Sequence, residues 1–246
     1  HAQSPQKLTS STRAEVVDSI ADLLIDNYVF PDTAVNMAAR IRQRLMSGAY
    51  DTITDPANFS DALTIDLYAV HRDPHMQVQY VPPTSEAMPD SSAPADPFKR
   101  TADANFGLRK VEVLDGNIGY LDISHFWADP VHGWATVQAA LQFIVHTNAL
   151  IIDLRGCGGG SQETVRMICG PFLARPTHIN DVVDRITDSV TEYWSTPDTA
   201  LPTLVDLPLY ILTSNKTFSA GEEFCYDLQS CGRATIVGEA TGGGAH

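Results

Sequence analysis

The chain has 246 residues, 43% hydrophobic and 19% charged, with 30 acidic against 16 basic side chains and a formal net charge of −14. That length can bury a full core, so one large globular domain, or a domain with a helical cap, is expected rather than a disordered chain. The negative charge repels nucleic acid and anionic membrane surfaces, and no run of about 18 apolar residues is present to span a bilayer, so neither is an expected partner.

The first residues, His1-Ala2-Gln3-Ser4, carry no apolar signal segment. Ala2-Gln3 resembles what an A-x-A signal-peptidase site leaves behind, although an engineered terminus would read the same, and export to a periplasm or medium is the expectation. Ser11 or Thr12 can cap a first helix carrying Val16, Ile20, Leu23, Leu24 and Ile25. Asp32 opens a second helix through Val35, Met37, Ala38, Ile41 and Leu45, closed by Ser47-Gly48. A third spans about residues 56–71, with Phe59, Leu63, Leu67 and Val70 on one stripe. Met76, Val78 and Tyr80 alternate like a half-buried strand. Residues 82–97 are rich in Pro, Ser and Ala and read as an exposed loop. The organisation expected is a helical cap over residues 1–81, a linker over 82–105 and an α/β core over 106–246.

The core begins with two strands around Asp115-Gly116-Asn117, a β-hairpin signal. A helix over 130–146, a buried strand over 149–154 and a helix from Ser161 follow. Residues 179–190 read as extended, irregular chain leading to a loop over 194–202. A buried strand over 207–212, a helix from Ser219 to about Cys231-Gly232 and a strand over 234–238 complete the order. Alternation of this kind gives a helix-covered, partly parallel sheet. Cys157, Cys169, Cys225 and Cys231 lack metal spacing, and four cysteines allow three full pairings among which the sequence does not choose.

Two stretches carry chemistry. Gly156-Cys157-Gly158-Gly159-Gly160 ends a strand just before a helix, where bare backbone N–H groups can face a bound atom. It lacks the spacing of a dinucleotide site and the G-K-[ST] of a phosphate loop. One or two aimed amides suffice for an oxyanion hole, and an ordinary tight turn is the plain alternative. Ser219 sits on a strand-to-helix turn, where the positive end of the helix stabilises an oxyanion. Ser219-Ala220-Gly221-Glu222 also fits a capping box, in which the hydroxyl only satisfies the helix. No metal or cofactor is expected.

Together, residues 153–160, Thr217-Phe218-Ser219-Ala220-Gly221-Glu222 and the stretch from Gly238 to His246 resemble the tail-specific (C-terminal processing) serine peptidases. The branch containing the modules of interphotoreceptor retinoid-binding protein is the most similar, and Asp73-Pro74-His75 resembles its N-terminal region. The resemblance implies a Clp-protease/crotonase-like core of strand-strand-helix units under an N-terminal three-helix cap. It implies Ser219 as nucleophile, with Gly159 or Gly160 and Ala220 as the oxyanion hole. The interval between cap and core is too short for the PDZ domain of processing relatives. Two departures stand out. Gly244 occupies the position of the processing branch's lysine base, and relatives of this type continue through further strands beyond the position of His246.

A serine needs a base. His75, His125, His246 and Lys216 are the candidates. His75 is favoured because tricorn-like relatives carry their catalytic histidine at the matching place. Asp73, Glu222 and Glu239 are the candidate supporting acids, and Asp153 and Arg155 are expected to brace the glycine turn locally. The resulting expectation is a serine-type peptidase acting on peptides or proteins through an acyl-enzyme. The alternative is a non-catalytic module of the same fold that binds an apolar ligand such as a retinoid or fatty acid.

Overall fold

The computed structural model describes residues 8–82, 97–127, 130–197 and 203–246. Ala2-Gln3, most of the 82–97 loop and the end of the 194–202 loop lie outside the described residues. The chain divides into two compact units, His1–Met88 with Asp184–Ser189, and Pro89–Val183 with Val190–His246.

The first unit is built on α1 (Ser10–Asn27), α2 (Pro31–Met46) and α3 (Pro56–Tyr68). Thr9, not Ser11 or Thr12, caps α1, its hydroxyl accepting the Thr12 N–H at 3.1 Å. Asp55 caps α3 in the same way through Asn58 N–H at 2.9 Å, and proline fills the first position of α2 and α3, where no N–H partner is needed. Val17, Ala21, Met37, Ile41, Tyr50, Phe59, Leu63 and Leu67 form the core of this unit. Leu23 and Val35 point outward, because the buried stripe runs one position away from each. Buried Asp66 is held by Arg40, Arg44 and the Tyr50 hydroxyl. Residues 76–80 form no strand. The Val78 N–H donates to the Thr64 hydroxyl at 3.0 Å, so this segment is satisfied by α3 rather than by a ladder.

The second unit opens with α4 (Pro97–Asp103), so the linker expected over 82–105 is partly helical. Pro97, taken from sequence as the end of a loop, instead sits at the first position of a helix. A five-stranded sheet follows in the order β1 (Leu108–Leu114), β2 (Ile118–Ile123), β3 (Ala149–Asp153), β6 (Leu209–Thr213) and β7 (Ala234–Gly238). Within this sheet β1 and β2 pair antiparallel and β2–β3, β3–β6 and β6–β7 pair parallel, with α5 (Pro130–Ile144), α6 (Gln162–Cys169) and α7 (Ala220–Ser230) in the connections. Leu121, Ile123, Leu150, Ile152, Leu209 and Ile211 share one buried cluster with Leu141, Ile144, Ile168, Phe224 and Leu228 of the helices. The alternate strand positions are only half-buried, and Tyr210 is 41% exposed, so these strands are covered on one face rather than both. The stretch read as irregular forms β4 (His178–Asp184) and β5 (Ser189–Trp194), a separate two-stranded sheet. All four cysteines are free thiols.

Candidate active site

Parallel pairing brings the carboxyl ends of β3 and β6 side by side, and the loops leaving them are stitched together. The Thr217 hydroxyl donates to the Leu154 carbonyl (2.8 Å), the Ser214 hydroxyl to the Arg155 carbonyl (2.7 Å) and the Phe218 N–H to the Cys157 carbonyl (3.0 Å). Asp153 and Arg155 brace the base of the glycine turn as expected. Burial works against the Asp153 charge, but hydrogen bonds from Arg155 and Tyr120 hold its carboxyl down at about 2.

On its other side, the glycine turn is pinned to the segment following β2. Phe126 N–H donates to the Gly159 carbonyl (2.8 Å) and Ser161 N–H to the Phe126 carbonyl (2.9 Å). His125 lies on this pinning segment. Gly159 and Gly160 have φ of 109° and 138°. A Cβ at 159 would stand 2.7 Å from Ser219 Cβ, and one at 160 would stand 1.9 Å from the Phe126 carbonyl oxygen. Only glycine permits both the backbone shape and the approach. The Gly159 N–H is turned onto the Cys157 sulfur. Among the described residues the N–H groups of Gly160 and Ala220 have no acceptor, so these two of the three expected amides are the ones available to an oxyanion.

Ser219 occupies the N-cap of α7 with φ 52° and ψ −123°, whereas the ordinary caps Thr9 and Asp55 are extended. Ser219 and Glu222 match the capping-box pattern, and its carboxylate half is made, with Ser219 N–H on Glu222 Oε2 at 2.8 Å. The Glu222 N–H goes to the Ser219 carbonyl at 2.8 Å and faces the Ser219 side chain as the other half of the box. A positive-φ serine on a tight strand-to-helix turn is a strained arrangement of the kind found where a side chain must be presented for reaction.

The supporting acids separate. Glu222 takes up the Ser219, Gly243 and Gly244 amides. Glu239 is exposed, and among the described residues its carboxylate accepts the Asn215 N–H at 3.4 Å. Asp73 lies with His75 in the first unit. It is 3% exposed, its Oδ1 lies 3.3 Å from His75 Nδ1 and accepts the His75 backbone N–H (2.9 Å), and its Oδ2 accepts the Tyr28 hydroxyl (3.0 Å). Burial, then the bond to Asp73, raises the Tyr28 hydroxyl above its ordinary range. A carboxylate at Nδ1 favours the tautomer with its lone pair on Nε2. Lys216 is exposed on the turn. Among the described residues, neither unit alone gathers three His, Cys or carboxylate ligands for one metal ion.

Sequence reasoning gave no role of their own to Thr217, Phe126, Cys157 and Phe218. Cys157 lies inside the glycine run, and Thr217 and Phe218 inside the stretch around the serine; nothing local marked Phe126. Phe218 matters because its ring fills the space at Gly244, where a Cβ would come within 2.0 Å of the ring.

The sequence pattern of peptidase family S41 matches residues 117–246, and that of the N-terminal domain of peptidase S41 in eukaryotic IRBP matches residues 7–108. The chain belongs to peptidase family S41. Among solved structures this S41 chain is similar to a protein from Parabacteroides merdae ATCC 43184 solved as a candidate peptidase, with 18% identity and a TM-score of 0.62 over 97% of this chain and 78% of that one. A lipoprotein from Streptococcus agalactiae aligns with 16% identity and a TM-score of 0.52 over 96% of this chain and 78% of its own. The tricorn protease aligns with 14% identity and a TM-score of 0.53 over 96% of this chain and 30% of its own length. At these identities the likeness is one of fold, and it agrees with the Clp-like α/β core and N-terminal helices expected from sequence.

Proposed function

We propose that this S41 chain is a serine-type peptidase that cleaves peptide bonds through an acyl-enzyme. Ser219 Oγ attacks the scissile carbonyl carbon while His75 takes the hydroxyl proton, and the Gly160 and Ala220 amides receive the oxyanion. Collapse of the tetrahedral intermediate breaks the C–N bond, and the departing amine takes the proton from the imidazolium. Water then attacks the ester by the same proton route, releasing the acid and restoring Ser219. Asp73 supports this role for His75 by facing Nδ1 at 3.3 Å. The observation that carries the reading is the positive φ of Ser219 beside two glycines whose Cβ positions are blocked.

One observation favours a second reading, a non-catalytic module that binds an apolar ligand. Gly244 offers no lysine, and Phe218 fills its place. Treatment with a fluorophosphonate, with the adduct located by mass spectrometry, separates the two readings. A peptidase is labelled on Ser219, and the label is lost in Ser219→Ala and His75→Ala. Absence of labelling together with stoichiometric fatty-acid or retinoid binding favours the binding module.

A further inference from the structure

The Glu222 carboxylate is committed to more than a helix start. It is 8% exposed, and its Oε2 accepts the N–H of Ser219 at 2.8 Å and of Gly244 at 2.7 Å, while Oε1 accepts that of Gly243 at 2.7 Å. Two of these donors lie 21 and 22 residues downstream. One side chain therefore ties the nucleophile turn to the loop after β7. That loop is held a second time by Gly242 N–H on the Thr217 carbonyl at 2.8 Å. Hydrogen bonds from amides to a carboxylate are short and about twice as strong as neutral ones.

Ser219 needs such a restraint. Backbone in a sparsely populated region is strained and persists only where the surroundings over-determine it. The peptide before Ser219 is fixed by Glu222, and the one before Phe218 by the Cys157 carbonyl.

We propose that Glu222 is a positioning residue for Ser219: its buried carboxylate holds the serine peptide at positive φ and locks the Gly243 and Gly244 amides to the same point. The role rests on the reading of Ser219 as nucleophile. Glu222 touches no substrate and acts only through the serine and the loop. Glutamine at this position has the same size but replaces an acceptor oxygen with an NH2 group that must face an amide donor.

The test uses the full chain, with Glu222→Gln and Glu222→Asp beside the wild type. It reads the rate of Ser219 phosphonylation by a fluorophosphonate, amide hydrogen exchange at Ser219, Gly243 and Gly244, and the melting temperature. At a temperature well below melting, E222Q is expected to be labelled about 10- to 100-fold more slowly, with faster exchange at Gly243 and Gly244. E222D keeps the charge with one methylene less reach, and is expected to fall between; it stands in if E222Q does not fold. Wild-type labelling rates in a folded variant, or a lowered melting temperature with no change in rate, overturn the positioning role. A wild type that is not labelled at all overturns the nucleophile reading instead, and the exchange data still decide whether the clamp exists.

Discussion

A Cβ at position 244 would stand 2.0 Å from Phe218 Cε2 and 2.1 Å from its Cζ, so the ring next to the nucleophile and a side chain at 244 exclude one another. The processing branch's lysine cannot simply be restored here. Gly244→Lys is expected to lower stability by about 1–3 kcal/mol through overpacking, and to leave Ser219 labelling no faster. Phe218→Ala in the same chain should recover most of that stability. Urea unfolding of the three proteins checks this, and a lysine variant that hydrolyses peptide faster than wild type would count against His75 as base.

The glycine turn gives a second test. Gly159→Ala brings a methyl group to 2.7 Å from Ser219 Cβ at a φ of 109°, and Gly160→Ala drives one into the Phe126 carbonyl at 1.9 Å. Both variants should lose about 100-fold or more in acylation rate, since the amides move off the oxyanion position. Gly160→Ala should also be the less stable of the two, because backbone rather than a side chain stands in the way. Phosphonylation rates and thermal midpoints report both effects.

Much of this site was legible because its signals are local. A strand ending in a glycine run, and a serine opening a helix, are contiguous patterns, and the parallel order of β3 and β6 follows from strand-helix alternation. What the sequence hid depends on distant partners. Glu222 reads as a capping-box acid, and nothing near it reveals that Gly243 and Gly244 supply its other donors. The positive φ of Ser219 breaks the local rule for a cap. Met76, Val78 and Tyr80 alternate like a strand, yet α3 satisfies that backbone through Thr64. Pro97 reads as loop because proline marks helix starts and loops alike.

Stability should fall as pH rises through neutrality. Asp227 is fully buried on α7, and burial pushes its carboxyl up to about 7, opposed by Asn180 hydrogen bonds and reinforced by nearby Glu223, itself raised by burial. A carboxyl raised in the folded state contributes stability that is complete below the unfolded value near 3.8 and lost as pH climbs through the folded one. Wild type should therefore lose on the order of 1–2 kcal/mol between pH 5 and pH 8, and Asp227→Asn should lose less. Unfolding in urea at the two pH values measures the difference; an equal loss in both proteins would remove Asp227 as the cause.

Thiol reactivity should be low in the native protein. Burial pushes Cys157 up to about 11 and Cys225 up to about 12, and complete burial holds Cys169 well above the ordinary thiol range. Cys231 is the least buried of the four. A disulfide reagent at pH 8 should consume about one thiol per native chain, at Cys231, and all four in denaturant. Fast native reaction at Cys157 would mean that the glycine turn opens.

The central claim is that Ser219 forms a covalent bond to the acyl half of a substrate. An activated peptide ester mixed with the protein, quenched in acid within the first turnover and digested for mass spectrometry, should give the acyl group on the peptide containing Ser219. It should give none in His75→Ala. An unmodified Ser219 at every quench time, in a protein that still releases the acid product, would contradict the account by placing the nucleophile elsewhere.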